Sequence, residues 1–167
     1  MRSLFHIRCV FLVAGLALSF LQTPSQAADA AWRIVSQEFI EPAPAVAEVH
    51  GSTIAEAADG TLVSAWFGGT KEGNPDTSIW VSRFEKGKWT VARKVASGAG
   101  EDGAEQAAWD PVIYKGADGA LVLFFSVGSS PDKRWGEMMV SRDNGLSWGE
   151  RRKLPDADPS QERQSHS

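Results

Sequence analysis

The sequence is short of the residues from which many functional sites are built. It has one cysteine, Cys9, one tyrosine, Tyr114, and three histidines in 167 residues. Cys9 stands before an apolar run and not at its end, where a lipid-anchored cysteine would stand. If the first 27 residues are removed, no cysteine remains and no disulfide can form. No spacing of His, Cys and carboxylates suggests a metal site, and no glycine-rich loop is placed to cradle a phosphate, so the expectation for cofactors is none. Sustained helical periodicity is absent, which argues against a helical bundle. The longest apolar stretch, Val10 to Leu21, falls short of the roughly 20 residues that span a bilayer as a helix. An excess of positive charge is missing too: 17 basic residues face 21 acidic ones. This scattered, acidic charge offers nothing to nucleic acid.

What is present begins with a leader. Arg2 and Arg8 precede the apolar run, and Ser25-Gln26-Ala27 places small residues three before and one before a cut. Cluster, run and small-residue site in that order read as a cleavable signal peptide over residues 1–27, and less well as a buried core helix. The expected location is therefore the periplasm or the exterior, with no membrane span after cleavage. The remaining chain carries 15 basic and 21 acidic residues, a net −6.

Beyond the leader the chain repeats itself at a spacing of 59 residues. Asp59-Gly60 recurs as Asp118-Gly119, Leu62-Val63 as Leu121-Val122, and Trp66 as Phe125. Gly69 recurs as Gly128, Val81-Ser82-Arg83 as Val140-Ser141-Arg142, Trp89 as Trp148, and Arg93-Lys94 as Arg152-Lys153. A period of this size marks a solenoid, a propeller or an array. Each unit reads as four short strands joined by turns. In the first, Asp59-Gly60 is a hairpin turn of the favoured type. Thr61 to Phe67 is rich in β-branched and aromatic residues, and Gly68 to Asp76 is a loop. Ser78 to Phe84 and Lys88 to Val95 follow. The second unit gives Val112 to Tyr114, Ala120 to Ser126, Gly136 to Ser141 and Trp148 to Leu154.

The expected fold is all-β, a partial β-propeller of two four-stranded blades. Its expected organisation is a signal peptide over 1–27, an N-terminal strand and linker over 28–47, blade 1 over 48–99, blade 2 over 100–154 and a disordered or aberrant tail over 155–167. Ala31 to Ile40 reads as a strand whose partner is missing. The tail holds no apolar residue larger than Ala157, and propellers need roughly 4–8 blades. The chain is therefore expected to be an N-terminal fragment of a longer propeller, through truncation, a frameshift or a partial gene.

Ser141-Arg-Asp143-Asn-Gly145-Leu-Ser147-Trp148 fits S-x-D-x-G-x-[S/T]-W at the turn between strands three and four. Asp143 can bond the N–H groups of its own turn and Gly145 can take a positive φ. The first unit carries a decayed copy, Ser82 to Trp89, with Phe84 in place of the aspartate. This pattern resembles the Asp-box (bacterial neuraminidase repeat) of the sialidase-like superfamily, over residues 48–154. The stretches H-G-S-T-I, A-W-F-G-G-T-K-E-G-N-P-D-T-S-I-W-V-S-R and W-D-P-V-I are similar to a sialidase-like branch found in exported bacterial proteins. The resemblance implies a six-bladed propeller with a glycan substrate, a glycoside hydrolase or lyase. In it Ser141, Asp143, Gly145 and Trp148 are structural. The alternative is a non-catalytic propeller that binds glycan or protein.

In a meander the start of strand one and the loop between strands two and three share one end. His50 therefore joins Lys71, Glu72 and Asp76. A histidine can serve as general acid or base, and His50 equally reads as a solvated residue at a strand start. By the resemblance, Asp76 stands where sialidases keep their acid/base aspartate; as a loop residue it equally orders the Asn74-Pro75 turn. Lys71, Glu72, Trp109 and Asp110 are candidate substrate-binding residues, with Lys71 and Glu72 readable as a solvated pair and Trp109 as a packed aromatic. Sialidases place an Arg-Ile-Pro motif at the start of their first blade, and here that position is His50-Gly51-Ser52. Tyr114 does not match the sialidase nucleophile. The resemblance thus implies poor action on sialic acid glycosides, and it extends to enzymes of uronate- or rhamnose-containing glycans.

Overall fold

The computed structural model describes residues 33–40, 46–99 and 103–155. The leader, its cut site and the residues after Pro155 lie outside that set. The chain divides into a unit ending at Gln37 and a unit from Glu38 onward. Residues 33–37, the described part of the first, form no strand, and every described strand belongs to the second.

Nine strands form two antiparallel sheets, with no helix among the described residues. The first sheet holds β1 (Glu48–Glu56), β2 (Leu62–Gly69), β3 (Ser78–Glu85), β4 (Lys88–Trp89) and β5 (Arg93–Ser97). β4 and β5 both pair with β3, so the sheet is a four-stranded meander with a broken last strand. The second is the meander β6 (Ala107–Lys115), β7 (Leu121–Ser130), β8 (Lys133–Ser141) and β9 (Arg152–Lys153). These are the two blades of a partial propeller.

The alternation of side chains along each strand decides what lies between the sheets. Val63, Ala65, Phe67, Ile79 and Val81 of the first sheet pack on Leu121, Leu123, Phe125, Val127 and Met139 of the second. Burying one such large side chain contributes about 1.5–3 kcal/mol. The opposite face of the first sheet carries Trp66 and Trp80, covered by Ile40, Val46 and Ala92. Polar bonds cross between the sheets as well. Ala108 N–H donates to Thr77 O at 3.0 Å, Gln106 N–H to Gly98 O at 3.1 Å, and Arg151 Nη1 to Ser97 O at 3.0 Å. The acceptor of Arg151 Nε is buried Glu137, which also receives Trp135 Nε1 at 2.8 Å.

Four expectations about strands need correction. Residues 33–40 form no strand. The fourth strand of the first sheet is interrupted at Thr90, whose hydroxyl accepts the Arg83 N–H at 3.0 Å while Ser82 Oγ donates to Thr90 O at 2.6 Å. Its counterpart in the second sheet is reduced to Arg152–Lys153. Both first strands begin earlier than expected, at Glu48 and Ala107. Each contains a one-residue bulge, between His50 and Thr53 and between Trp109 and Val112. Gly51 and Asp110-Pro111 resemble turn residues, yet a bulge admits both a positive φ and a strand proline.

Candidate functional site

Antiparallel pairing collects the start of β1, the β2–β3 loop, the start of β6 and the β7–β8 hairpin at one end of the two sheets. The turns at Asp59-Gly60, Lys86-Gly87, Asp118-Gly119 and Asp143–Ser147 lie at the other. The expected site residues and the expected Asp-box thus separate to opposite ends.

His50 is paired across the ladder with Phe67 and stacks on it, with centroids 5.5 Å apart and planes at 28°. Its Nε2 has no hydrogen-bond partner and is buried from water, with Glu48 Oε2 at 3.8 Å. Glu48 is committed elsewhere, accepting the Glu72 N–H at 2.8 Å and so tying the β2–β3 loop to β1. Asp76 closes that loop on itself: Oδ2 accepts the Thr70 N–H at 2.9 Å and Oδ1 the Thr70 hydroxyl at 3.1 Å. Asn74 Nδ2 donates to the same hydroxyl oxygen at 3.1 Å. Both carboxylate oxygens of Asp76 therefore serve the loop. Lys71 and Glu72 are exposed.

Trp109 is 6% exposed. Its Nε1 donates to Gly128 O at 3.1 Å, and its ring packs 5.9 Å from Phe67. Gly73, at φ 82°, lies so close that a Cβ there would stand 3.0 Å from Trp109 Cη2. The ring thus carries the loop and leaves no open face for a sugar. The guanidinium of Arg134 sits 5.7 Å from the Trp109 centroid and pairs with Asp110 Oδ2. Asp110 itself has φ 48°, a left-handed conformation that few residues adopt. Its repeat equivalent, Gly51, has φ 54°. A Cβ built on Gly51 would lie 3.9 Å from Asp110 Oδ1, so this carboxylate reaches toward the bulge that follows His50. Sequence reasoning missed Arg134. Its only signal was a cation in the hairpin facing Asp110, and hairpin cations are common.

A cleft of about 320 Å³ opens beside this end, lined by Glu38, Ile40, Val49, His50, Ser64 and Trp66 among others. No group of three or more His, Cys, Asp or Glu is placed to hold a metal among the described residues.

At the other end, Asp143 Oδ1 accepts from Ser141 Oγ and from Ser147 N–H, both at 2.8 Å, and Oδ2 accepts the Ser147 hydroxyl at 2.5 Å. These bonds, the Ser147 hydroxyl first and its backbone N–H next, hold the carboxyl down to about 2. Asp59 and Asp118 are lowered too, chiefly by the N–H groups of Thr61 and Ala120. Ser141 Oγ also accepts the Gly145 N–H at 2.8 Å. Trp148 is half-buried against the core between the sheets. The turn rests on the first sheet: a Cβ on Gly145 would meet Val63 Cγ1 at 3.1 Å. Arg93 Nη2 donates to Gly145 O at 3.3 Å and to Leu146 O at 2.6 Å.

Comparison with known proteins agrees with this architecture. No curated protein matches the chain. Among solved structures it is similar to a protein of unknown function from Dyadobacter fermentans DSM 18053, with a TM-score of 0.56 and 16% identity over 71% of this chain and 39% of that one. It is also similar to Hadza microbial sialidase Hz136, with a TM-score of 0.54 and 16% identity over 63% of this chain and 25% of that one. The chain thus spans well under half the length of either protein. Residues 60–162 match the family described as BNR repeat-like domain. That match covers more than half of the chain, which therefore belongs to the BNR repeat-like domain family.

Proposed function

We propose that the chain is part of a carbohydrate-active, sialidase-like propeller protein, exported through the leader at residues 1–27, whose site lies at the His50 end of the sheets. One observation carries this reading. His50, whose Nε2 makes no hydrogen bond, flanks the bulge of the first blade, and Asp110, in a left-handed conformation under Arg134, lies in the equivalent bulge of the second. A side chain held in such a conformation costs about 1–3 kcal/mol, and strain of this kind concentrates at functional sites. In this reading His50 exchanges the proton and Asp110 Oδ1 accepts sugar hydroxyls while Arg134 fixes Oδ2. Lys71 and Glu72 meet the glycan from the loop, and Asp76 holds that loop in place.

Two blades supply only part of a ring, and transition-state stabilisation needs preorganised groups around the reacting centre. The 167-residue chain is therefore expected to retain glycan weakly and to turn over none. In a ring completed by further blades, His50→Ala is expected to cut turnover about 100-fold or more. The test is a fluorogenic sialoside and a panel of uronate- and rhamnose-containing oligosaccharides, scored for binding and for turnover. Sialoside is expected to be poor, because no arginine stands at His50-Gly51-Ser52. Retention of glycan by a completed ring, with no turnover of any substrate, would favour the second reading, a binding platform. That reading is supported by the engagement of both Asp76 oxygens with Thr70. Absence of any glycan binding would overturn the first reading and restrict the platform to a protein ligand. For export, intact mass should show the mature chain beginning at Ala28, and retention of Met1 would contradict it.

A further inference from the structure

The chain has two asparagines, and they differ in the residue that follows. Asn74 precedes Pro75, which has no N–H. Asn144 precedes Gly145, whose backbone nitrogen carries a proton and whose missing Cβ leaves it open to a neighbouring side chain. In the Asp143–Ser147 turn Asn144 is half-buried at φ 58°, and its side-chain amide makes no hydrogen bond among the described residues. The Gly145 nitrogen is the opposite: it is buried, and its N–H is given to Ser141 Oγ at 2.8 Å. Ser141 Oγ is itself held by Asp143 Oδ1 at 2.8 Å. Arg93 Nη2 clamps the Gly145 and Leu146 carbonyls that follow, at 3.3 and 2.6 Å. An electrophilic amide and the nitrogen that can attack it thus stand side by side, and the nitrogen is withheld.

We infer that Asn144 is a deamidation site, kept closed by the Ser141 hydroxyl and opened when the turn is released. In the released turn the Gly145 nitrogen gives up its proton and bonds to Asn144 Cγ. The Cγ–Nδ2 bond breaks, Nδ2 leaves as ammonia with that proton, and a succinimide ring remains. Water opens the ring at one carbonyl or the other, to aspartate or to isoaspartate, and no further reactant is needed. Aspartate fits the turn, because like asparagine it tolerates a left-handed φ. Isoaspartate does not, because its backbone runs through Cβ and adds an atom ahead of Gly145. That glycine has little room to shift: a Cβ there would already stand 3.1 Å from Val63 Cγ1. The reaction therefore unseats the turn from the first sheet, and refolding cannot reverse it. The corresponding turn of the first blade, at Lys86-Gly87, holds no asparagine. The inference concerns the covalent lifetime of the second blade and is independent of any carbohydrate activity.

The test incubates the full chain in mildly alkaline buffer, with and without guanidinium. The tryptic peptide 143–151 reports conversion by mass, and chromatography separates its aspartyl and isoaspartyl forms. Conversion is expected at least about tenfold slower in the folded chain than in denaturant, because it proceeds only through the open fraction. Equal rates in the two would overturn the inference, and this comparison needs no variant. Ser141→Ala, shown to be folded by circular dichroism, should raise the folded rate about fivefold or more. Ser141→Thr, which keeps a hydroxyl, should stay at the parent rate. An unchanged rate in folded Ser141→Ala would overturn the role of that hydroxyl. The purified isoaspartyl form should melt about 4 °C or more below the parent, and Asn144→Asp within about 2 °C of it. An isoaspartyl form that melts with the parent would overturn the unseating of the turn.

Discussion

The two hairpin turns that close the third strands do the same job by different chemistry. In the second blade, Ser141–Trp148 is a scaffold of side-chain bonds in which Asp143 and Ser141 satisfy the N–H groups of Gly145 and Ser147. In the first, Phe84 replaces the aspartate and no such scaffold exists. The turn instead closes tightly on Lys86 and Gly87, at φ 51° and 80°, with Phe84 packed edge-on against Trp89 at 5.4 Å. Two consecutive positive φ values suit the right-handed twist of a hairpin. Asn144 and Gly145 keep the same pair, at 58° and 83°. The backbone turn is the common element, and the aspartate is one of two ways to hold it. What only the second turn does is sit on a neighbour.

That difference can be broken most sharply at the glycines. Gly145→Ala places a Cβ in a positive-φ position against Val63 at 3.1 Å, and is expected to destabilise by about 2–4 kcal/mol. Asp143→Ala leaves the Ser147 N–H and the Ser141 and Ser147 hydroxyls without their acceptor, and about 1–3 kcal/mol should be lost, with binding and turnover per folded molecule unaffected. A fall in turnover with unaltered melting would instead place the turn in the site. Gly87→Ala meets nothing within 4 Å, so only the backbone conformation is strained and about 1 kcal/mol is expected. Thermal or urea melts of the three variants test the order, and equal losses at Gly145 and Gly87 would show that the contact with Val63 is energetically empty.

Acid sharpens the same contrast. Asp143 has its folded pKa depressed from 3.8 to about 2. Its contribution is therefore fully present above the unfolded value and is lost as pH falls through the folded one. Asp143→Ala should flatten the stability curve between about pH 4 and 2, measured as the melting midpoint of both proteins across that range. Parallel curves would mean that the Ser147 bonds contribute nothing net.

The period of 59 residues made the architecture legible, because matched turn residues and apolar stretches recur where the strands and hairpins stand. The same signals failed at irregularities. Thr90 interrupts a strand through side-chain bonds with Ser82 and Arg83, and no propensity registers that. The bulged halves of β1 and β6 were invisible because Gly51, Asp110 and Pro111 individually argue for turns. In the candidate site, His50 could be placed from the order of strands alone. Trp109 could not be assigned between platform and core without knowing that Phe67, Gly73 and Arg134 enclose it. Arg134 belongs to Asp110 only through a fold that brings positions 24 apart together.

The paired bulges also carry a consequence for how such a chain diverges. Position 51 and position 110 inherit one backbone shape, left-handed in both, and that shape admits a short alphabet: glycine, and at some cost asparagine or aspartate. A duplicated blade is thus a mould with a slot in the same place each time. An ancestor with glycine in the slot can place a carboxylate at the rim by a single residue change, with no rebuilding of the strand. Chemistry can then be added blade by blade around a ring while the architecture is merely copied.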